Sequence, residues 1–297
     1  MEGLQFKSII QCKPFRFLVG VKKYEFFVHP TLISHHSRPL SVLMNGSMQE
    51  AINGYASIDD VDGDTFARFV EYLYTGEYPA AEPLLLLDDG AIAQQHADQV
   101  RDSALPPELQ EQPVHAEQST TMKDALPAHE HDPWTAFSTT TTKTRKKPMT
   151  SQQRAWREFQ SISFEVCAAR PDSAPRANQE AYEGYTDVFL SHAKIYVFAD
   201  RYDINNLRSL SLQKLHNTLV QFTLFEQRVS DIASLLQYCY EHTAEREGST
   251  DDLRSLITRY VCCNLESMMK DETFRRTMKG DHVSSWDILN QVLHRLN

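Results

Sequence analysis

Near the start of the chain Phe15, Phe17 and Val19 alternate with Arg16, Leu18 and Gly20, and after a turn near Lys22-Lys23 the alternation returns in Tyr24, Phe26 and Val28. A period of two predicts two strands of a half-buried antiparallel hairpin. Pro30 suits the first position of a helix, where a missing N–H removes no bond, so His29 becomes the cap and Leu32-Ile33 the apolar side. Pro39 repeats the device ahead of Leu40, Leu43 and Met44. Gly54 to Ile58 reads as a short strand, and the polar run Asp59 to Asp64 closes it and offers an N-cap. From Phe66 the apolar positions Phe69, Val70 and Leu73 fall at helical spacing, and Gly76 stands where a left-handed C-cap belongs.

The last part of the chain is a run of amphipathic stripes. Val229, Ile232, Ala233, Leu236, Cys239 and Tyr240 form one. Leu253, Leu256, Ile257, Tyr260, Asn264 and Met268 form a second, and Leu289, Val292, Leu293 and Leu296 a third. Thr250-Asp251-Asp252 places a cap and negative charge at the start of the second, where the helix dipole favours them. Each stripe needs a neighbour to cover it.

Between these parts the composition changes. Ten of the 13 prolines lie from Pro79 to Pro175 and none follows, which sets 79–187 apart as a largely disordered insert and leaves the C-terminal part free to be helical. Within it, Leu84 to Leu87 and Ala91 to Arg101 have the residues for a short helix, while the Ser138 to Thr142 tract has too little apolar surface to order itself. Ala155-Trp156-Arg157-Glu158-Phe159 to Val166 is richer in aromatic and β-branched residues. It reads as a segment that docks back at times, or as a partner-binding peptide.

The run Phe26-Phe27-Val28-His29 … Leu40 to Met44 … Phe66-x-x-Phe69-Val70-Glu71-Tyr72-Leu73-Tyr74-Thr75-Gly76 resembles the BTB (POZ) domain. Several separated motifs occur in that family's order and spacing. Residues 188–219 resemble the last helices of the same fold, with Ala193-x-x-Tyr196-x-x-Ala199-x-x-Tyr202, a Tyr202-Asp203-Ile204 turn and a leucine helix. The chain is similar in particular to filamentous-fungal BTB proteins with an insertion before these helices. The resemblance implies an α+β fold: a short mixed sheet flanked by helical hairpins, followed by an all-α, BACK-like extension. The organisation it implies is an N-terminal segment 1–14, the BTB domain in two parts, 15–78 and 188–219, and the extension 220–297. Cys12-Lys13-Pro14 stands where many BTB domains carry an Asp, and Pro30 where a Lys commonly follows the His. A homodimer is allowed by the resemblance without being required.

The same resemblance singles out Met48-Gln49-Glu50. It matches the apolar-x-Glu pattern that BTB adaptors present to a cullin, and makes Met48, Glu50, Tyr72 and Tyr74 candidate cullin-facing residues. Physically, an apolar residue between Ser47 and Gln49 on an exposed loop either enters an interface or folds onto its own domain. Lys143, Arg145, Lys146 and Lys147 place four positive charges in five residues, which either form a nuclear-import signal or a solvated charge run.

Metal and thiol chemistry find little support. His29, His35 and His36, and His129-Glu130-His131, lack the accompanying Cys-x-x-Cys or His-Glu-x-x-His spacing and read as capping, packing or solvated histidines. Cys262 and Cys263 lie about a third of a turn apart on a helix and read as buried thiols. Five scattered cysteines, no long apolar run and no signal-peptide pattern fit a cytoplasmic or nuclear protein without membrane contact. A net charge of −10 argues against direct binding of nucleic acid. No phosphate loop or nucleophile elbow occurs, and no cofactor or enzymatic activity is expected. Two functions remain. One is a BTB-type adaptor recruiting an unknown client to a cullin-based ubiquitin ligase. The other is a scaffold or nuclear transcriptional cofactor that pairs with itself or with other BTB chains.

Overall fold

Strand β1 (Phe15–Val19) buries Phe15, Phe17 and Val19 and leaves Arg16 and Leu18 half-buried, the pattern of a strand with one face on a core. A turn with positive φ at Gly20 and Lys23 returns the chain as β2 (Tyr24–Val28), antiparallel to β1 with Phe26 opposite Phe17. On the other side of β1 lies β3 (Tyr55–Ile58), parallel to it, so the sheet order is β2-β1-β3. A parallel neighbour requires a crossover. Here it consists of three short helices, α2 (Pro30–His36), α3 (Arg38–Asn45) and α4 (Gln49–Asn53). They follow α1 (Phe6–Gln11) and the hairpin in the chain. A computed structural model describes residues 6–47, 49–86, 149–165, 175–244 and 250–296. Over these the protein is α+β, with helices predominating.

Local chemistry sets the helix limits. Ser37 caps α3 by accepting from Leu40 N at 3.2 Å, while its own hydroxyl donates to Tyr202 O at 2.7 Å, which ties the helix to a distant turn. Helix α5 (Gly63–Thr75) starts at Asp62, whose carboxylate accepts from Thr65 N at 2.8 Å. It stops at Gly76, which takes φ 79°. Its inner face carries Phe66 and Phe69, with ring centroids 5.2 Å from Phe17 and 4.7 Å from Phe198, respectively.

Helices α7 (Thr186–Arg201) and α8 (Asn205–Gln221) carry buried residues on more than one side, Ser191, His192, Ser211, His216 and Thr218 among them, because they serve two cores. Ile195, Phe198, Ala199, Leu207 and Leu210 pack with the sheet, α2, α3 and α5. On their other side Phe189, Tyr196, Leu212, Leu215 and Leu219 pack with α9 (Val229–His242), α10 (Asp252–Met268), α11 (Glu272–Gly280) and α12 (His282–Leu296). The boundary expected at 219/220 therefore falls inside a shared core. Helix α7 also begins at Thr186, ahead of the expected 188. The Asp231 carboxylate on α9 receives Tyr185 N at 2.8 Å and the Thr186 hydroxyl at 3.0 Å, capping α7 from another helix.

Within the interval 79–187, residues 79–86, 149–165 and 175–187 are described and belong to the fold. Residues Leu84–Leu85 form β4, which pairs antiparallel with β5 (Glu183–Gly184) where a helix was expected. Leu86 N extends the pairing by donating to Tyr182 O at 2.8 Å. Helix α6 (Ser151–Gln160) opens with a capping box between Thr150 and Gln153 and inserts Phe159 into the core of α8 and α10. The expected helix at 91–101, the threonine tract and the basic residues Lys143, Arg145, Lys146 and Lys147 lie outside the described residues.

Candidate protein-interaction surfaces

Three of the four residues singled out for cullin contact fall among the described residues, in different environments. Met48 lies outside the described residues. Glu50 sits half-buried in the first turn of α4, a single-turn helix where a loop was expected. Tyr74 is exposed near the end of α5, its hydroxyl 2.6 Å from His29 Nδ1. Tyr72 is 6% exposed, with its ring edge-on to His36 at 5.5 Å. It therefore belongs to the core rather than to a contact face, because the turn of α5 that points Phe69 and Leu73 inward carries Tyr72 with them. Flanking positions missed by motif matching are more prominent. Val42 on α3 and Ile52 on α4 are both exposed, and the two helices pack together. The edge strand β2 adds Tyr24 and Phe27, exposed on opposite faces of the strand.

A second apolar surface lies on α12. The stripe expected to be covered there, Leu289, Val292, Leu293 and Leu296, is split between two faces. Ser284 and Ile288 are buried and Val292 is packed inward, while Val283, Trp286, Leu289, Leu293 and Leu296 face solvent. Two polar anchors fix this rotation. Asp287 accepts from the Tyr240 hydroxyl at 2.6 Å, and Arg295 donates to Cys262 O at 2.7 Å and pairs with Glu266.

The buried polar groups act structurally. His192 and Tyr78 are both buried, with Nδ1 3.0 Å from the hydroxyl. Nearby, Lys214 pairs with Glu77 at 2.7 Å and Ser191 receives Ala81 N at 3.2 Å, so the segment leaving α5 is held against α7 and α8. Burial, with Lys214 and Arg68 adding to it, pushes the His192 imidazole down to about 3. A folded-state value below the ordinary 6.5 means that the unfolded chain binds the proton first. Stability carried by neutral His192 is present above pH ~6.5 and lost as pH falls toward ~3, about 2 kcal/mol of it by pH 5. Urea unfolding at pH 7.5 and 5 should show this loss in the wild type and a smaller one in His192→Gln. Equal losses in both proteins would remove His192 as the cause.

Cys239, Cys262 and Cys263 are buried free thiols. Burial, reinforced by Cys262, pushes the Cys263 thiol up to about 12, and burial also raises Cys239 and Cys262, which leaves them poor nucleophiles at neutral pH. Burial followed by neighbouring His35 lowers His36, whose ring lies 5.1 Å from that of His35. Among the described residues no group of three or more His, Cys, Asp or Glu side chains is gathered to hold a metal. No helix among them is long and apolar enough to cross a membrane. No protein-family model matches the chain, and no curated protein matches it.

Proposed function

We propose that the chain is a non-enzymatic protein-interaction module of the BTB type, an adaptor that brings a client protein to a cullin-based ubiquitin ligase. The observation that carries this reading is the α3–α4 edge. Ile52 is 73% exposed and Val42 is exposed as well, on two packed helices that flank Met48 in the chain, and Glu50 lies half-buried on α4 two residues before Ile52. Exposed apolar side chains on two packed helices, one of which also carries an acidic residue, fit a docking surface with an anchor and a polar rim. The order of elements supports the BTB part of the reading: a hairpin, a helical crossover, a strand parallel to the first, and α5 packed on α7.

Calorimetry of the whole chain with a cullin N-terminal domain tests the proposal. Micromolar or tighter binding is expected, and Met48→Ala should weaken it by about 1–3 kcal/mol. Absence of heat at concentrations up to about 100 μM would overturn the adaptor reading. The second reading, an oligomerising scaffold or nuclear cofactor, is favoured by the exposed face of α12 and expects Met48 to be indifferent.

A further inference from the structure

Trp286, Leu289, Leu293 and Leu296 follow one another at intervals of three, four and three along the solvent side of α12. That is the a/d spacing of a coiled-coil seam, narrower than the face a helix buries in a globular core. The inward face of α12 is already used by Ser284, Ile288 and Val292. On the outward side the exposed residues are His282, Val283, Trp286, Leu289, Leu293, His294 and Leu296, of which only the two histidines are polar. The charged residues Asp287 and Arg295 are engaged with Tyr240 and with Glu266 within the same chain. In the heptad that the seam defines, the flanking e and g positions are Ser285, Asn290 and Val292, all neutral. Charges at such positions set partner choice, and a neutral flank sets no like charge opposite itself when the helix meets its own copy.

We propose that this face is a two-fold interface between two copies of the chain, with α12 of one packed antiparallel on α12 of the other. Antiparallel pairing centred at Gln291 sets Trp286 of each copy against Leu296 of its mate, and Leu289 against Leu293. Every a position then meets a d position, and the same patch serves both subunits, as a closed two-fold contact requires. The exposures of Val283, Trp286, Leu289, Leu293 and Leu296 are 48, 62, 48, 53 and 64%. They amount to roughly 500 Å² of apolar surface, near the top of what a monomer leaves uncovered. Pairing would bury roughly 1,000 Å² in all, the lower limit for a specific interface. The dimer is therefore small and dissociable. It is independent of the cullin reading, which uses the opposite end of the fold's sequence.

Sedimentation velocity of the whole chain between about 1 and 100 μM provides the test. The wild type is expected to shift from monomer to dimer across this range. Trp286→Glu and Leu293→Glu should each raise the dissociation constant at least about tenfold, with far-ultraviolet dichroism unchanged and the unfolding midpoint unchanged at about 1 μM, where the wild type is monomeric and both side chains face solvent. A wild type that stays monomeric at the highest concentration overturns the proposal and leaves the face to the helix of a different protein. A dimer that persists in a folded Leu293→Glu variant also overturns it and places self-association elsewhere on the chain.

Discussion

Phe159→Ala is expected to destabilise the protein by about 3–5 kcal/mol, the cost of emptying a buried aromatic site that its neighbours cannot refill. Phe159 is 2% exposed. Its ring stacks on Trp156 of its own helix at 5.6 Å and meets His216 of α8 at 4.9 Å and Tyr260 of α10 at 5.6 Å, so two further helices close around it. Its carbonyl lies 2.8 Å from His216 Nε2, and Gln152 on the same helix donates to Cys263 O at 2.9 Å. These contacts make α6 a structural part of the α8–α10 layer. Urea unfolding measures the effect as a lower midpoint at unchanged slope. A loss under about 1 kcal/mol would mean that α6 only rests on the surface as a dispensable peptide.

Asp251→Ala should cost about 2–4 kcal/mol, the sum of a lost N-cap and a stranded hydroxyl. The Asp251 carboxylate is buried and accepts from Leu253 N at 2.9 Å and Arg254 N at 3.3 Å at the start of α10. Its other oxygen receives the Tyr196 hydroxyl of α7 at 2.8 Å. Burial, reinforced by Asp251, raises the Tyr196 hydroxyl far above its usual range, so it stays a donor at every accessible pH. Asp251→Asn keeps an acceptor oxygen and should recover more than half of the loss. Equal destabilisation by Ala and Asn would assign the effect to the charge of the carboxylate and not to its geometry.

The parts of the fold that could be read from the sequence are those whose causes are local. The β1–β2 hairpin follows from alternation, α2 and α3 from their early prolines, and α5 from Asp62 at one end and Gly76 at the other. What escaped was set by distant partners. Nothing near Thr186 announces that Asp231 will cap α7, and nothing near Phe159 names His216 or Tyr260 as its neighbours. The strand at Leu84–Leu85 exists because Glu183–Gly184 offers an edge. On α12 periodicity located the apolar residues, but two stripes competed for the core. The Asp287 and Arg295 anchors, not hydrophobicity, decide which one turns inward. Tyr72 had a readable signal, since its helical position relative to Phe69 already placed it on the inner side of α5.

The sharing of α7 and α8 between two cores bears on how the protein is made. The sheet, α2, α3 and α5 leave the ribosome early, yet Phe66 and Phe69 find Phe198 only when a much later segment has been translated. At ribosomal speeds that wait is on the order of ten seconds. Throughout it the side of Phe66 and Phe69 that Phe198 will cover stays open, which exposes apolar surface on the nascent chain to chaperones.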